Sequence, residues 1–319
     1  MDLPAYAIEA EGLFKTYPAT KTAPEKRALN GIDLKVPRGS IFGLLGPNGA
    51  GKSTFINILA GLTRKSSGTV RIWGRDIDER PRDARAAIGV VPQELAADVF
   101  FTPRESLEVQ AGYYGVPKNE RRTDELLNAL GLGDKANAYV RQLSGGMKRR
   151  LMVAKAMVHQ PPVLILDEPT AGVDVELRKG MWEVVRTLRA AGVTIILTTH
   201  YIEEAEEMAD RIGVINRGEI ILVEEKAGLI QKLGKKRLTL QLQGKVDAIP
   251  PALAPYNLKL AEDGREITYD YDTKGDRTGI TSLLSDLRNA GIRISDLDTE
   301  QSSLEDIFVS LVHRDGEAA

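Results

Sequence analysis

The chain has 319 residues, enough to bury a large core and to divide into one large domain and a smaller one. Its 43 Lys+Arg nearly balance 45 Asp+Glu, so no strong overall field draws it to nucleic acid or to an anionic membrane surface. The absence of cysteine excludes disulfides, thiolate metal sites and a cysteine nucleophile.

The N-terminal MDLPAYAIEA has neither a basic segment nor a long apolar core, so no signal peptide is expected. No run of about 18 apolar residues occurs, and the chain is expected to be soluble by itself. Over the first two-thirds, short apolar runs alternate with longer amphipathic stretches, which predicts an α/β domain with a mainly parallel sheet. Buried strands are expected at 41–45 (IFGLL), 88–91 (IGVV), 163–167 (VLILD) and 194–198 (TIILT). Residues 69–73 (TVRIW) and 211–223, around the turn Asn216-Arg217-Gly218, read as half-buried antiparallel segments. Between Gln93 and about Gln160 helical signals take over, as in 120–131 (ERRTDELLNALG), so 94–160 reads as a helical insert in a domain spanning 1–225. A linker follows at 226–236, and then a small α+β domain over 237–319. Its expected elements are a strand at 237–243 (RLTLQLQ), a Pro-rich 250–255, a strand at 265–271 (REITYDY), a helix near 279–290, a strand at 292–297 (IRISDL) and a last helix at 303–313.

Residues 46–54 read GPNGAGKST, a full match to G-x-x-x-x-G-K-[ST] placed directly after IFGLL and before the helical FINILAGL. Gly46, Gly49 and Gly51 let the backbone curl so that successive N–H groups face a phosphate, Lys52 adds a charge at the outer phosphates, and the Ser53 hydroxyl can ligate Mg²⁺. The whole run, with Pro47, Asn48, Ala50 and Thr54, is assigned to nucleotide binding. VLILDEP then supplies two acids at the carboxyl edge of a buried strand, where ligands bind in open α/β sheets. Asp167 is placed to hold the metal through its water shell and Glu168 to polarise the attacking water. TIILTTH repeats the arrangement with His200 at a strand end, and Gln93 follows IGVVP at the same edge, where its amide could sense Mg²⁺ and water. Far along the chain, LSGGM at 143–147 opens a helical segment. Ser144 is a natural cap, Gly145 and Gly146 expose N–H groups at the positive helix end, and Lys148, Arg149 and Arg150 place cations in its first turns, where only a nearby anion would compensate the dipole.

GPNGAGKST, Gln93, LSGGM, VLILDEP, the AGVD of 171–174 and His200 occur in the order seen in ABC-type ATPases, and over residues 6 to about 223 the chain resembles that family. With LSGGMKRRL and ILDEPTAGVD it looks like the branch serving ABC-2 type exporters, such as daunorubicin-resistance and nodulation-factor exporters. Met147 departs from the glutamine many members carry there. The resemblance implies ATP and Mg²⁺ as cofactors, and a head-to-tail homodimer in which Ser144, Gly145 and Gly146 of one copy cover the γ-phosphate at the phosphate loop of the other. It also implies an ABC-2 type transmembrane permease as partner, a peripheral place on the cytoplasmic face of the bacterial inner membrane, and stacking of Tyr17 on adenine, although a Tyr beside a Pro also serves as core or turn filler. Val99, Phe100 and Phe101 read equally as insert core or as a surface for a partner helix. A soluble ABC ATPase acting on nucleic acid or in translation is the competing class; the coiled coils, zinc cysteines or basic face usual there are missing, and no nucleic-acid partner is expected. The C-terminal domain carries no catalytic constellation in sequence and is expected to hold the dimer together or to dock the membrane partner.

Overall fold

The computed structural model describes residues 3–21, 23–94, 98–170, 175–228, 235–272 and 279–301. The chain divides into two compact units, Met1–Glu225 and Lys226–Ala319.

The first unit is built on two sheets. β3 (Ile41–Leu45), β6 (Ile88–Val91), β7 (Val163–Asp167), β8 (Thr194–Thr199), β9 (Arg211–Asn216) and β10 (Glu219–Glu225) form a six-stranded sheet in the order β10-β9-β3-β8-β7-β6, parallel except for β10. Its central strands are continuous apolar runs because both faces are covered. Side-chain alternation splits them between two cores. Leu164, Leu166, Ile195 and Leu197 face one, with Leu107, Leu127, Val153 and Trp182. Val163, Ile165, Ile196, Phe42 and Leu44 face the other, with Phe55, Ile58 and residues of the second sheet. That second sheet is antiparallel, in the order β2-β1-β4-β5, from β1 (Tyr6–Tyr17), β2 (Lys26–Pro37), β4 (Ser67–Ile72) and β5 (Arg75–Asp76).

The helices are α1 (Lys52–Leu59), α2 (Pro81–Ala86), α3 (Pro103–Tyr113), α4 (Thr123–Ala129), α5 (Gly145–Met157), α6 (Val175–Ala190) and α7 (Ile202–Met208). Between β6 and β7 lie α3, α4, α5 and short 3₁₀ turns, a helical insert. α3 starts at a reciprocal cap: Glu105 N donates to Thr102 Oγ1 at 3.2 Å and Thr102 N to Glu105 Oε2 at 2.8 Å.

The segment 211–223 differs from expectation. β9 is almost wholly buried and parallel to β3, so only β10 is the half-buried antiparallel strand; a hairpin turn at Arg217-Gly218 does not reveal on which side the first strand finds a second partner.

In the second unit, β11 (Lys235–Leu242), β12 (Lys259–Leu260), β13 (Glu266–Asp272) and β14 (Ile294–Gln301) form an antiparallel sheet ordered β12-β13-β11-β14. Leu238, Leu240 and Ile267 pack against Leu283 and Leu287 of α8 (Ile280–Asn289) and Leu253 of a 3₁₀ turn. The expected helix at 303–313 and the AGVD of 171–174 lie outside the described residues. Among the described residues no helix is long and apolar enough to cross a membrane.

Candidate active site

From the end of β3 the chain turns through Gly46–Gly51 into α1. A Cβ on Gly46 would lie 2.4 Å from Ile215 O, and Gly51, at φ +114°, would carry one 2.8 Å from Ala28 O, so the turn closes against β9 and β2 only with glycine. No side chain caps α1 at Gly51, which leaves the first N–H groups of the helix for a ligand. Lys52 is 5% exposed. Its Nζ donates to Gly46 O at 2.6 Å and Pro47 O at 3.3 Å and stands 3.7 Å from Glu168 Oε1. Burial pushes its pKa down, against the pull of Glu168 and Asp167.

β7 and β8 lie in register with Asp167 beside Thr198. Thr198 Oγ1 donates to Asp167 Oδ1 at 2.6 Å and accepts from Glu168 N at 3.1 Å. Burial pushes the Asp167 carboxyl above the usual range; the Thr198 hydroxyl opposes this, Glu168 adds to it and Lys52 opposes it. Glu168 sits at φ +45°, left-handed backbone that a side-chain-bearing residue holds only under restraint. Its Oε2 accepts from Gln93 Nε2 at 3.1 Å. His200 Nδ1 comes within 3.3 Å of Glu168 Oε1 but makes no hydrogen bond of acceptable angle, so this buried nitrogen is left without a formed bond, facing the place a third group would take.

Pro47, Asn48, Gly49, Ala50, Gly51, Lys52, Ser53, Thr54, Gln93, Glu168 and His200 line one cavity of about 420 Å³, together with Lys26 and Ala28. Gly46 and Asp167 are not among its lining residues. Tyr17 does not line it; across the β1–β2 ladder it pairs with Lys26, which does, and Lys15 Nζ lies 4.6 Å over its ring. Ser53, exposed in the first turn of α1, and Gln93 line the cavity, and their hydroxyl and amide oxygens, like the Asp167 carboxylate, are donors of the kind a hard cation takes. Among the described residues no group of three or more Asp, Glu or His could hold a metal ion by itself.

Ser144, Gly145 and Gly146 are not brought to this cavity. They open α5, where Ser144 Oγ accepts from Met147 N at 3.3 Å. The cations that follow are not a solvated row. Arg149 is 6% exposed and donates from Nη1 to Glu168 O at 3.3 Å and from Nη2 to Gln93 O at 3.4 Å, and Arg150 Nη1 donates to Leu130 O at 3.2 Å. From sequence Arg149 reads, with Lys148 and Arg150, as a cation awaiting an anion, whereas its bonds go to two main-chain carbonyls; Thr198 was not singled out. The signal for Arg149 was its helical spacing, three after Gly146 and four before Val153, which puts it on the buried face of α5.

Residues 29–171 match the family model described as ABC transporter. The chain is 37% identical over 313 residues to the daunorubicin/doxorubicin resistance ATP-binding protein DrrA of Streptomyces peucetius, covering 97% of this chain and 93% of that one. It is 35% identical to the linearmycin resistance ATP-binding protein LnrL of Bacillus subtilis (strain 168), over 96% of this chain and 98% of the relative. With the Nod factor export ATP-binding protein I of Rhizobium sp. (strain N33) it shares 37% identity over 98% of both. Among solved structures, a dimeric ATP-binding cassette in a post-hydrolysis state with ADP and Pi superposes with a TM-score of 0.61 at 28% identity, over 69% of this chain and 98% of that one.

Proposed function

This chain belongs to the ABC transporter family of ATP-binding proteins and is an ATPase, and from that premise we propose that two copies, paired head to tail, hydrolyse ATP to drive export through separate ABC-2 type transmembrane subunits on the cytoplasmic face of the membrane. The observation that carries the pairing is the emptiness around Gly145. A Cβ there would meet no heavy atom within 4 Å beyond its own chain neighbours and helix backbone, and its backbone is not left-handed. Among the described residues nothing crowds this glycine, and the open first turn of α5 leaves room for a group from outside. The same turn is absent from the cavity that holds the other motifs, which supports a phosphate group of a second copy as the occupant.

In the cavity, the N–H groups of the loop and Lys52 hold the β- and γ-phosphates. Mg²⁺, when bound, neutralises charge on the phosphate oxygens, and Ser53 and Asp167, with Gln93, would hold it. Glu168 orients and polarises the attacking water, while His200, beside it, reaches the γ-phosphate. Tyr17, paired across the β1–β2 ladder with the cavity-lining Lys26, is the platform for adenine. We assign the pore to other polypeptides, since among the described residues no helix is long and apolar enough to cross a membrane. For these a groove of about 320 Å³ lies between the sheet lobe and the helical insert, lined by Ala60, Leu62, Val90, Tyr114 and Met152, and Leu62 is 76% exposed. Phe100, 73% exposed, is surface and not insert core, and is free to meet a partner helix. The resistance and export named in the relatives support an exporter.

The test is Glu168→Gln. Turnover should fall at least about 100-fold with loss of the base, and scattering in solution should find a dimer with MgATP and a monomer with ADP. From detergent-solubilised membranes the tagged variant should bring down a stoichiometric polytopic protein. Turnover at the parental rate would remove Glu168 as the base, and a nucleotide-independent monomer would remove the pairing. Recovery from the soluble fraction alone, with ribosomes or nucleic acid, would move the protein to the soluble ABC class.

A further inference from the structure

The buried Arg149 joins parts of the molecule that the mechanism above treats separately. It follows Gly145 by four residues, about one helical turn, with its side chain buried beneath the exposed signature turn. The bonds of its guanidinium end on two main-chain carbonyls, Glu168 O and Gln93 O. The side chains of those same two residues bond each other at 3.1 Å on the cavity side. Arg149, Gln93 and Glu168 therefore close a ring that ties the end of β6, the end of β7 and the start of α5.

Glu168 has the most to lose from that ring opening. Its amide is pinned by Thr198, to Oγ1 and O at 3.1 Å each, and its carbonyl by Arg149, and between these two anchors the residue is held at φ +45°. Without the second anchor the peptide can relax to an ordinary φ, which swings the carboxylate away from where water must be activated. A buried guanidinium is also a poor choice for stability alone. Burial pushes its pKa down, and an apolar side chain of similar length would fill the space at no desolvation cost.

We propose that Arg149 is a positioning residue that passes the state of the signature turn to the base of its own chain. This rests on the paired-copy reading. When the partner's nucleotide seats on Ser144 and Gly145, any shift of α5 moves the guanidinium, and with it the carbonyls of Glu168 and Gln93. Each copy's base is thus set by the nucleotide held in the other copy's loop, so the two sites of the pair fire cooperatively.

The test compares Arg149→Met and Arg149→Lys with the parent. In Arg149→Met, kcat should fall about 10- to 100-fold, the range expected when a catalytic group is displaced by about an ångström. The dissociation constant of ATP for the isolated monomer should change less than about twofold, and the Hill coefficient for ATP should fall to about 1, since the intersite coupling is what is removed. Arg149→Lys, which keeps a donor for one carbonyl, should recover part of both kcat and cooperativity. A parental kcat and Hill coefficient in Arg149→Met would overturn the proposal, provided the parent dimerises with ATP; if it does not, the pairing itself fails. Should Arg149→Met not fold, the milder Arg149→Lys is combined with Ser144→Ala in a double-mutant cycle. Losses in kcat that combine non-additively support the coupling, and strictly additive losses sink it.

Discussion

The phosphate loop and the signature turn are both glycine-rich approaches to a helix, and they differ in what surrounds their glycines. In the phosphate loop the chain itself demands them, because Gly46 and Gly51 stand against Ile215 O and Ala28 O with no room for a Cβ. In the signature turn Gly145 stands in the open. The helix after the first turn lacks a side-chain cap, whereas the second turn is capped by its own Ser144. On the pairing proposed above, one is a pocket and the other a lid for the partner's pocket. Two substitutions separate these roles most sharply. Lys52→Ala removes the buried cation from the pocket and should weaken ATP binding about 10- to 100-fold, the equivalent of roughly 1.5–3 kcal/mol for charge-assisted bonds. Ser144→Arg should cut turnover about 100-fold, as for loss of a preorganised donor to a developing charge, while ATP binding to the loop stays within about twofold. Equal losses of binding affinity in the two variants, by calorimetry on monomers, would put Ser144 in the pocket and end the distinction.

A finer probe uses one substitution in both turns. Gly51→Ala must place a methyl group at φ +114° beside a carbonyl oxygen, and should cost about 1–3 kcal/mol of stability. Gly145→Ala has an ordinary helical position and open space, and should stabilise the protein by about 0.5–1 kcal/mol while slowing hydrolysis, because the methyl group takes the room left for the partner's phosphate. Thermal unfolding and turnover together decide it: a Gly145→Ala variant both destabilised and fully active would leave the open space unexplained.

The nucleotide edge was readable in advance because its parts are short and local: a buried strand, then a turn or an acid, as in IFGLL–GPNGAGKST and VLILDEP. β1 and β2, twelve residues each, were not, since repeated register shifts and the left-handed Gly12 and Gly31 break the period-2 alternation that marks a strand. β9 was taken for half of a surface hairpin, because parallel pairing with a strand about 170 positions earlier leaves no local trace. Arg149 was hidden for a related reason. A run Lys148-Arg149-Arg150 reads as a charged surface, and only the approach of two loops from other elements turns its middle member into a buried strut. In the second unit, alternation in RLTLQLQ and REITYDY marked β11 and β13, whereas β12 is two residues long and too short to carry a pattern.

The smallest effect expected is one of stability, and it also distinguishes the pocket from the lid. A pocket that awaits a metal and a polyphosphate holds charges whose partners arrive only with the ligand, so the empty pocket should be a weak point of the fold. Asp167 is the case in hand, since burial holds its pKa above the usual value near 3.8. Between those two values the unfolded chain has already released a proton that the folded chain still keeps, so rising pH favours unfolding. The cost is absent below the usual value near 3.8 and grows as pH rises through the range between the two values. Asp167→Asn keeps an acceptor for the Thr198 hydroxyl and removes the charge. Without nucleotide it should raise Tm at pH 7 by about 2–4 °C, roughly 1 kcal/mol for a domain of this size, and the gain should vanish near pH 4. With MgATP the order should invert, because only the parent carboxylate serves the metal. A variant less stable than the parent at pH 7 would mean that Thr198 and Lys52 already compensate the carboxylate, and that the pocket is as self-sufficient as the capped turn at Ser144.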